Sequence, residues 1–192
     1  MSFLKRFTRV LKQLQGQSIE LEKIICDFQR KLKRSMHRLE LEAVSASVAD
    51  EEALSFIVVE LATSRQLSKL IKYVLEDIKT IRTWTDIPKE GEFEEITSRL
   101  AQLNFYLKNN VFNKFLEELR DLRNLDSREI PSVTALEPNN HHIKQILEEI
   151  RQKVPKEQSS QYETKIARLM RDKKFAKKLK DAYDKKWVVE FK

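Results

Sequence analysis

Residues 18–81 read SIELEKIICDFQRKLKRSMHRLELEAVSASVADEEALSFIVVELATSRQLSKLIKYVLEDIKTI, and the apolar spacing of this stretch decides the fold. Leu21, Ile24, Ile25, Phe28, Leu32, Met36 and Leu39 recur at three- and four-residue intervals, the stripe of an amphipathic helix. Residues 45–50 then supply small side chains and a candidate N-cap at Asp50, with Glu51 and Glu52 suited to the first turn of a new helix. A second stripe runs through Leu54, Ile57, Val58, Leu61, Leu67, Leu70, Ile71, Val74, Leu75, Ile78 and Ile81, and Pro88 and Gly91 stop it. Two antiparallel helices of about 30 residues each, joined by a tight turn, are the central expectation.

The flanks extend the helical reading. Residues 92–125 carry a third apolar face, from Phe93 and Ile96 through Leu119 and Leu122, broken or bent at Asn109-Asn110. Residues 126–140 lose the period and hold Pro131, Pro138 and Asn139-Asn140, as a linker would. A short helix follows from His141 to about Lys153, ended by Pro155. Residues 159–187 read as one or two cationic helices, and Trp187–Phe191 as a short edge strand or extended docking segment. The expected organisation is an amphipathic helix at 1–15, a helical core at 16–125, the linker at 126–140 and a mobile basic helical region at 141–192.

Composition agrees with an all-α class. Only 2 of 192 residues are Gly and 4 are Pro, too few to punctuate a many-stranded fold or to cradle a phosphate in a Gly-rich loop. Catalytic chemistry finds no constellation. His141 and His142 are adjacent, hence about 100° apart on a helix, and His37 is remote in sequence. Neither metal, cofactor nor enzymatic activity is expected. The single Cys26 has no disulfide partner in the chain, which fits a reducing interior and a cytoplasmic protein.

The net charge of +7 is unevenly spread. Residues 1–49 are +5, residues 50–87 and 88–130 are each −2, and residues 131–192 are +6, a pattern that calls for an anionic partner. Residues 2–14, SFLKRFTRVLKQL, suggest which kind. On a helical wheel Phe3, Leu4, Phe7, Val10, Leu11 and Leu14 share a sector of roughly 120°, while Lys5, Arg6, Arg9 and Lys12 fall opposite, with no acidic residue among them. That arrangement suits an anionic membrane surface, to which the protein would bind peripherally. The competing reading is an amphipathic first helix docked on its own bundle. Gly16, just past this segment, is a candidate break.

The order of pieces resembles the ESCRT-III family, particularly its archaeal cell-division branch. The resemblance is carried by Val48-Ala-Asp-Glu-Glu-Ala53 at the turn, by Glu60-Leu-Ala62, Arg65 and Lys69 in the second helix, and by Leu75-Glu76-Asp77-Ile78. It covers residues 10–83 in detail and the rest only in order and length. It implies a coiled-coil-like helical hairpin, self-association into filaments on membranes during remodelling or cell division, and disassembly by a MIT-domain AAA ATPase. For that ATPase, Ile130, Pro131 and Val133 resemble the start of the family's Pro-containing docking peptide, with Thr134 in place of its second proline; residues 95–103 resemble its helical docking motif less closely. The alternative function is nucleic-acid binding, for which Lys165–Lys192 offers 11 basic and 4 acidic residues interleaved with Phe175, Tyr183 and Trp187.

Overall fold

The computed structural model describes residues 2–49, 51–124, 140–158 and 162–164. Every regular element among them is helical, so the fold is all-α: α1 (Phe3–Ala49), α2 (Glu51–Thr83), α3 (Glu90–Leu107), α4 (Asn110–Asn124), α5 (Asn140–Lys153) and a single 3-10 turn at Lys156–Gln158. The apolar stripes of residues 21–39 and 54–81 account for α1 and α2, with one residue between the two helices. Gly16 does not break α1. A helical glycine costs about 1 kcal/mol relative to Ala, a penalty that the fully buried Leu14, Ser18 and Leu21 around it outweigh.

The expected break near Asn109-Asn110 is present, and its chemistry is local. Lys108 adopts the left-handed conformation (φ 46°), with its N–H bonded to the Asn104 carbonyl. Asn109 Oδ1 then accepts the Val111 N–H at 2.9 Å and so caps the start of α4. α3 begins without a side-chain cap, but Glu90 and Glu92 occupy its first turn, where the helix dipole favours negative charge. α5 matches the short helix expected after the linker but takes in Asn140, the last residue of the expected linker; linker residues 126–139 and the tail at 165–192, including Trp187–Phe191, lie outside the described residues.

Two compact units divide the chain: the first draws on Met1–Arg30 and Ser68–Ala135, the second on Lys31–Leu67 and Leu136–Lys192. The first unit buries Leu14, Leu21, Ile25 and Phe28 of α1 with Ile71, Val74, Ile78 and Ile81 of α2 and the apolar faces of α3 and α4. Trp84 stacks on Phe93 with ring centroids 6.0 Å apart. Asp77, only 5% exposed, accepts two hydrogen bonds from Arg99 at 2.7 and 2.8 Å, and this partner holds the guanidinium even more firmly protonated than usual.

The second unit packs Leu39 and Ala43 of α1, Leu54, Val58, Leu61 and Ala62 of α2, and Ile143, Ile146, Leu147, Ile150 and Val154 of the α5 segment around Tyr162. The Tyr162 hydroxyl donates to the Leu147 carbonyl at 2.9 Å, and burial pushes its pKa well up. In this unit α1 and α2 run antiparallel, Arg65 reaching Glu40 at 3.6 Å.

Candidate functional site

Residues 3–14, a little over the first three turns of α1, hold the residues the sequence assigns to a membrane surface. Ser2 starts the helix, its Oγ accepting the Lys5 N–H at 3.4 Å and its carbonyl accepting the Arg6 N–H at 3.2 Å. A serine just before an apolar-periodic run is a recognisable N-cap, so this role was available in the sequence. Phe3 and Phe7 stack at 6.3 Å, but they differ in exposure: Phe3 is 39% exposed and Phe7 5%.

The remaining residues divide along the same line. Val10, Leu11 and Leu14 are buried with Phe7, whereas Leu4 is 65% exposed. Lys5, Arg6, Arg9 and Lys12 are all exposed, and none makes a side-chain hydrogen bond or ion pair among the described residues. The apolar sector therefore has a covered part, which the chain itself occupies, and an exposed tip at Phe3 and Leu4 beside four cations. A wheel identifies the apolar side of a helix; it does not say what covers it.

What fixes that covered part is a set of polar contacts absent from the sequence reading. Gln15 Nε2 donates to the carbonyls of Ile81, Arg82 and Trp84 at 3.2, 3.2 and 2.9 Å, tying α1 to the end of α2 and the residues just past it. Arg82 returns the contact, with Nε on Ser18 Oγ at 2.8 Å and Nη2 paired to Glu22. Gln17 reaches Glu118 of α4 at 2.8 Å. Ser18 and Glu22 lie on the same side of α1 as Leu14 and Leu21, one or two turns apart, a spacing that could have flagged them.

Ile130, Pro131 and Val133 lie outside the described residues, as does Lys165–Lys192. In the segment 95–103, Ile96, Leu100, Ala101 and Leu103 are buried and Arg99 is engaged with Asp77, so this face is occupied by packing within the first unit. His142 contacts Gln66 at 2.9 Å and His141 lies beside it, ring centroids 6.2 Å apart; no group of three His, Cys, Asp or Glu suited to a metal occurs among the described residues. Cys26 is a half-buried free thiol. No helix among the described residues is long and apolar enough to cross a membrane. No family model, curated protein or solved structure matches the chain.

Proposed function

We propose that this protein is a non-enzymatic, self-assembling scaffold of ESCRT-III type that binds peripherally to anionic membranes through the start of α1. The observation that carries the reading is the exposed tip of that helix. Phe3 and Leu4 lie open beside Lys5, Arg6, Arg9 and Lys12, with no acidic residue before Glu20. Cations in the first turns oppose the helix dipole, and an external anion relieves both that repulsion and their lack of partners. Because Phe7, Val10, Leu11 and Leu14 are already covered, the contact is chiefly electrostatic with two shallow apolar anchors, rather than insertion of the whole sector. Disassembly by a MIT-domain AAA ATPase through Ile130, Pro131 and Val133 belongs to the same proposal.

Flotation with liposomes containing 30% anionic lipid tests it. Phe3→Asp with Leu4→Asp, and separately Lys5→Glu with Arg9→Glu, are expected to abolish flotation while leaving helicity intact, since all four side chains are exposed. Flotation of both variants at the parent's level overturns the membrane assignment. Retained binding to single-stranded DNA without any flotation of the parent would favour the nucleic-acid reading instead.

A further inference from the structure

We infer that copies of this chain join head to tail through two oppositely charged surfaces: the Lys31, Arg34, Arg38 and Leu41 face of α1 in one copy, and the Asp86–Glu95 segment of the next. The inference rests on the self-assembly proposed above and names its contact. Residues 28–39 hold five cations, Arg30, Lys31, Lys33, Arg34 and Arg38, and no acidic residue. All five are exposed, and Lys31, Lys33 and Arg34 make no ion pair among the described residues. Among the described residues Arg38 reaches only Glu42, at 3.9 Å and in solvent. Lys31, Arg34, Arg38 and Leu41 follow the 3-4-3 spacing that places them on one helix face. Leu41 is 61% exposed there.

The complementary surface belongs to the first unit. Residues 86–95 hold five acidic residues against the single Lys89. Asp86, Glu92 and Glu95 are exposed; Glu92 makes no ion pair among the described residues, and Glu95 has only Arg99, at 3.7 Å and 72% exposed. Ile87, next to Asp86 at the start of this acidic segment, is 42% exposed. Each charged patch thus carries one open aliphatic side chain, and the two patches are of opposite sign. A phosphate surface would satisfy the cations but would leave the acidic patch and both aliphatic groups unexplained. A second copy accounts for all of them. Because the two surfaces differ, the contact is heterologous, and repeating it gives an open chain of subunits rather than a closed dimer unless the rotation closes a ring. Exposed charges dominate it, so it weakens steeply with salt.

A charge-swap experiment on the full chain tests this by sedimentation velocity at 50 and 500 mM NaCl. The parent is expected to form oligomers at 50 mM NaCl and to dissociate at 500 mM. Lys31→Glu/Arg34→Glu/Arg38→Glu and Asp86→Lys/Glu92→Lys/Glu95→Lys should each weaken association at least tenfold. Mixed in equal amounts the two should assemble again, because every reversed surface then meets its complement. Should either triple variant lose helicity, the milder Lys31→Gln/Arg34→Gln/Arg38→Gln set is expected to show a smaller loss of association with the fold retained. A parent that stays monomeric at 50 mM NaCl overturns the self-assembly reading itself. A parent that assembles, with both swapped variants assembling equally well, overturns this surface alone. Unchanged self-association combined with lost liposome or oligonucleotide binding in the α1 variant also overturns it, and would give that face to lipid or nucleic acid.

Discussion

The Arg65 guanidinium of α2 forks onto the Glu149 carboxylate of α5, Nη1 donating to Oε1 at 3.1 Å and Nη2 to Oε2, so two residues 84 positions apart hold α5 on the helical pair. Arg65 also reaches Glu40 of α1 at 3.6 Å, and Lys153 of α5 reaches the other oxygen of Glu40 at 3.8 Å. These groups are 28 to 57% exposed, so solvent screens them and the fork contributes about 1 kcal/mol at most. The buried Ile146 beneath contributes more. Arg65→Ala is expected to raise hydrogen exchange across residues 143–154 modestly, and Ile146→Asp to abolish protection there, while protection in α3 and α4 persists. Equal loss in both units would show that α5 is not the element Arg65 secures.

The Asp77–Arg99 pair of the first unit should weigh more, since Asp77 is nearly buried and both of its carboxylate oxygens are used. Asp77→Asn leaves Arg99 facing a neutral amide that cannot accept both bonds, at an expected cost of about 2 kcal/mol in urea denaturation. Glu95→Gln, which removes only the exposed 3.7 Å contact to the same Arg99, should change stability by about 0.3 kcal/mol. Similar costs for both would contradict the burial difference.

Ser64 offers the opposite sign. Its side chain is fully buried, and its hydroxyl has no hydrogen-bond partner among the described residues, whereas the neighbouring Thr63 satisfies its own on the Val59 carbonyl at 2.9 Å. Ser64→Ala removes a buried unsatisfied group and raises helix propensity, so it should stabilise the chain by about 1 kcal/mol. A lower urea midpoint with an unchanged slope would refute the assignment.

Much of this was legible in the sequence, and the failures have physical causes. Three- and four-residue spacing located most of α1 and α2 and the α3–α4 region, because a helix that buries one face must repeat apolar residues at that interval. Asn109 was legible because side-chain capping is local chemistry. Gly16 misled, because a propensity of about 1 kcal/mol is smaller than the tertiary burial around it. The start of α1 was half legible. Its two faces follow from spacing, but whether lipid or protein covers Phe7 and Leu14 depends on Gln15 meeting the end of α2, some 66 residues later. Arg65 was noticed only as part of a family-like pattern; its bond to Glu149 joins segments that no local rule connects.

That division at the start of α1 yields a direct comparison. Phe3 and Phe7 are neighbours on one face and stack on each other, yet only Phe7 is buried. Phe7→Ala should cost about 3 kcal/mol of stability by opening a cavity, whereas Phe3→Ala should cost well under 1 kcal/mol and yet weaken liposome flotation. Thermal unfolding and flotation on both variants check this. Equal destabilisation would mean that Phe3 also belongs to the core, and the exposed tip would shrink to Leu4.

Removal of α5 and removal of the docking peptide have different expected outcomes. Truncation after Ser127 takes away α5 and with it the cover over Leu39, Ala43, Leu54, Val58, Leu61 and Ala62. An apolar face of that kind left in water seeks another partner, so the truncated chain should self-associate more than the parent while still floating with anionic liposomes through α1. It should also lose a MIT-domain ATPase in a pull-down. Pro131→Ala with Val133→Asp should lose the ATPase equally, because the substitutions relax the extended backbone and put a charge where an apolar pocket would take valine. This variant keeps α5 and Tyr162, so its self-association should match the parent's. If the double variant still binds the ATPase, the docking residues are not Ile130, Pro131 and Val133. If truncation leaves self-association unchanged, α5 does not shield an assembly surface.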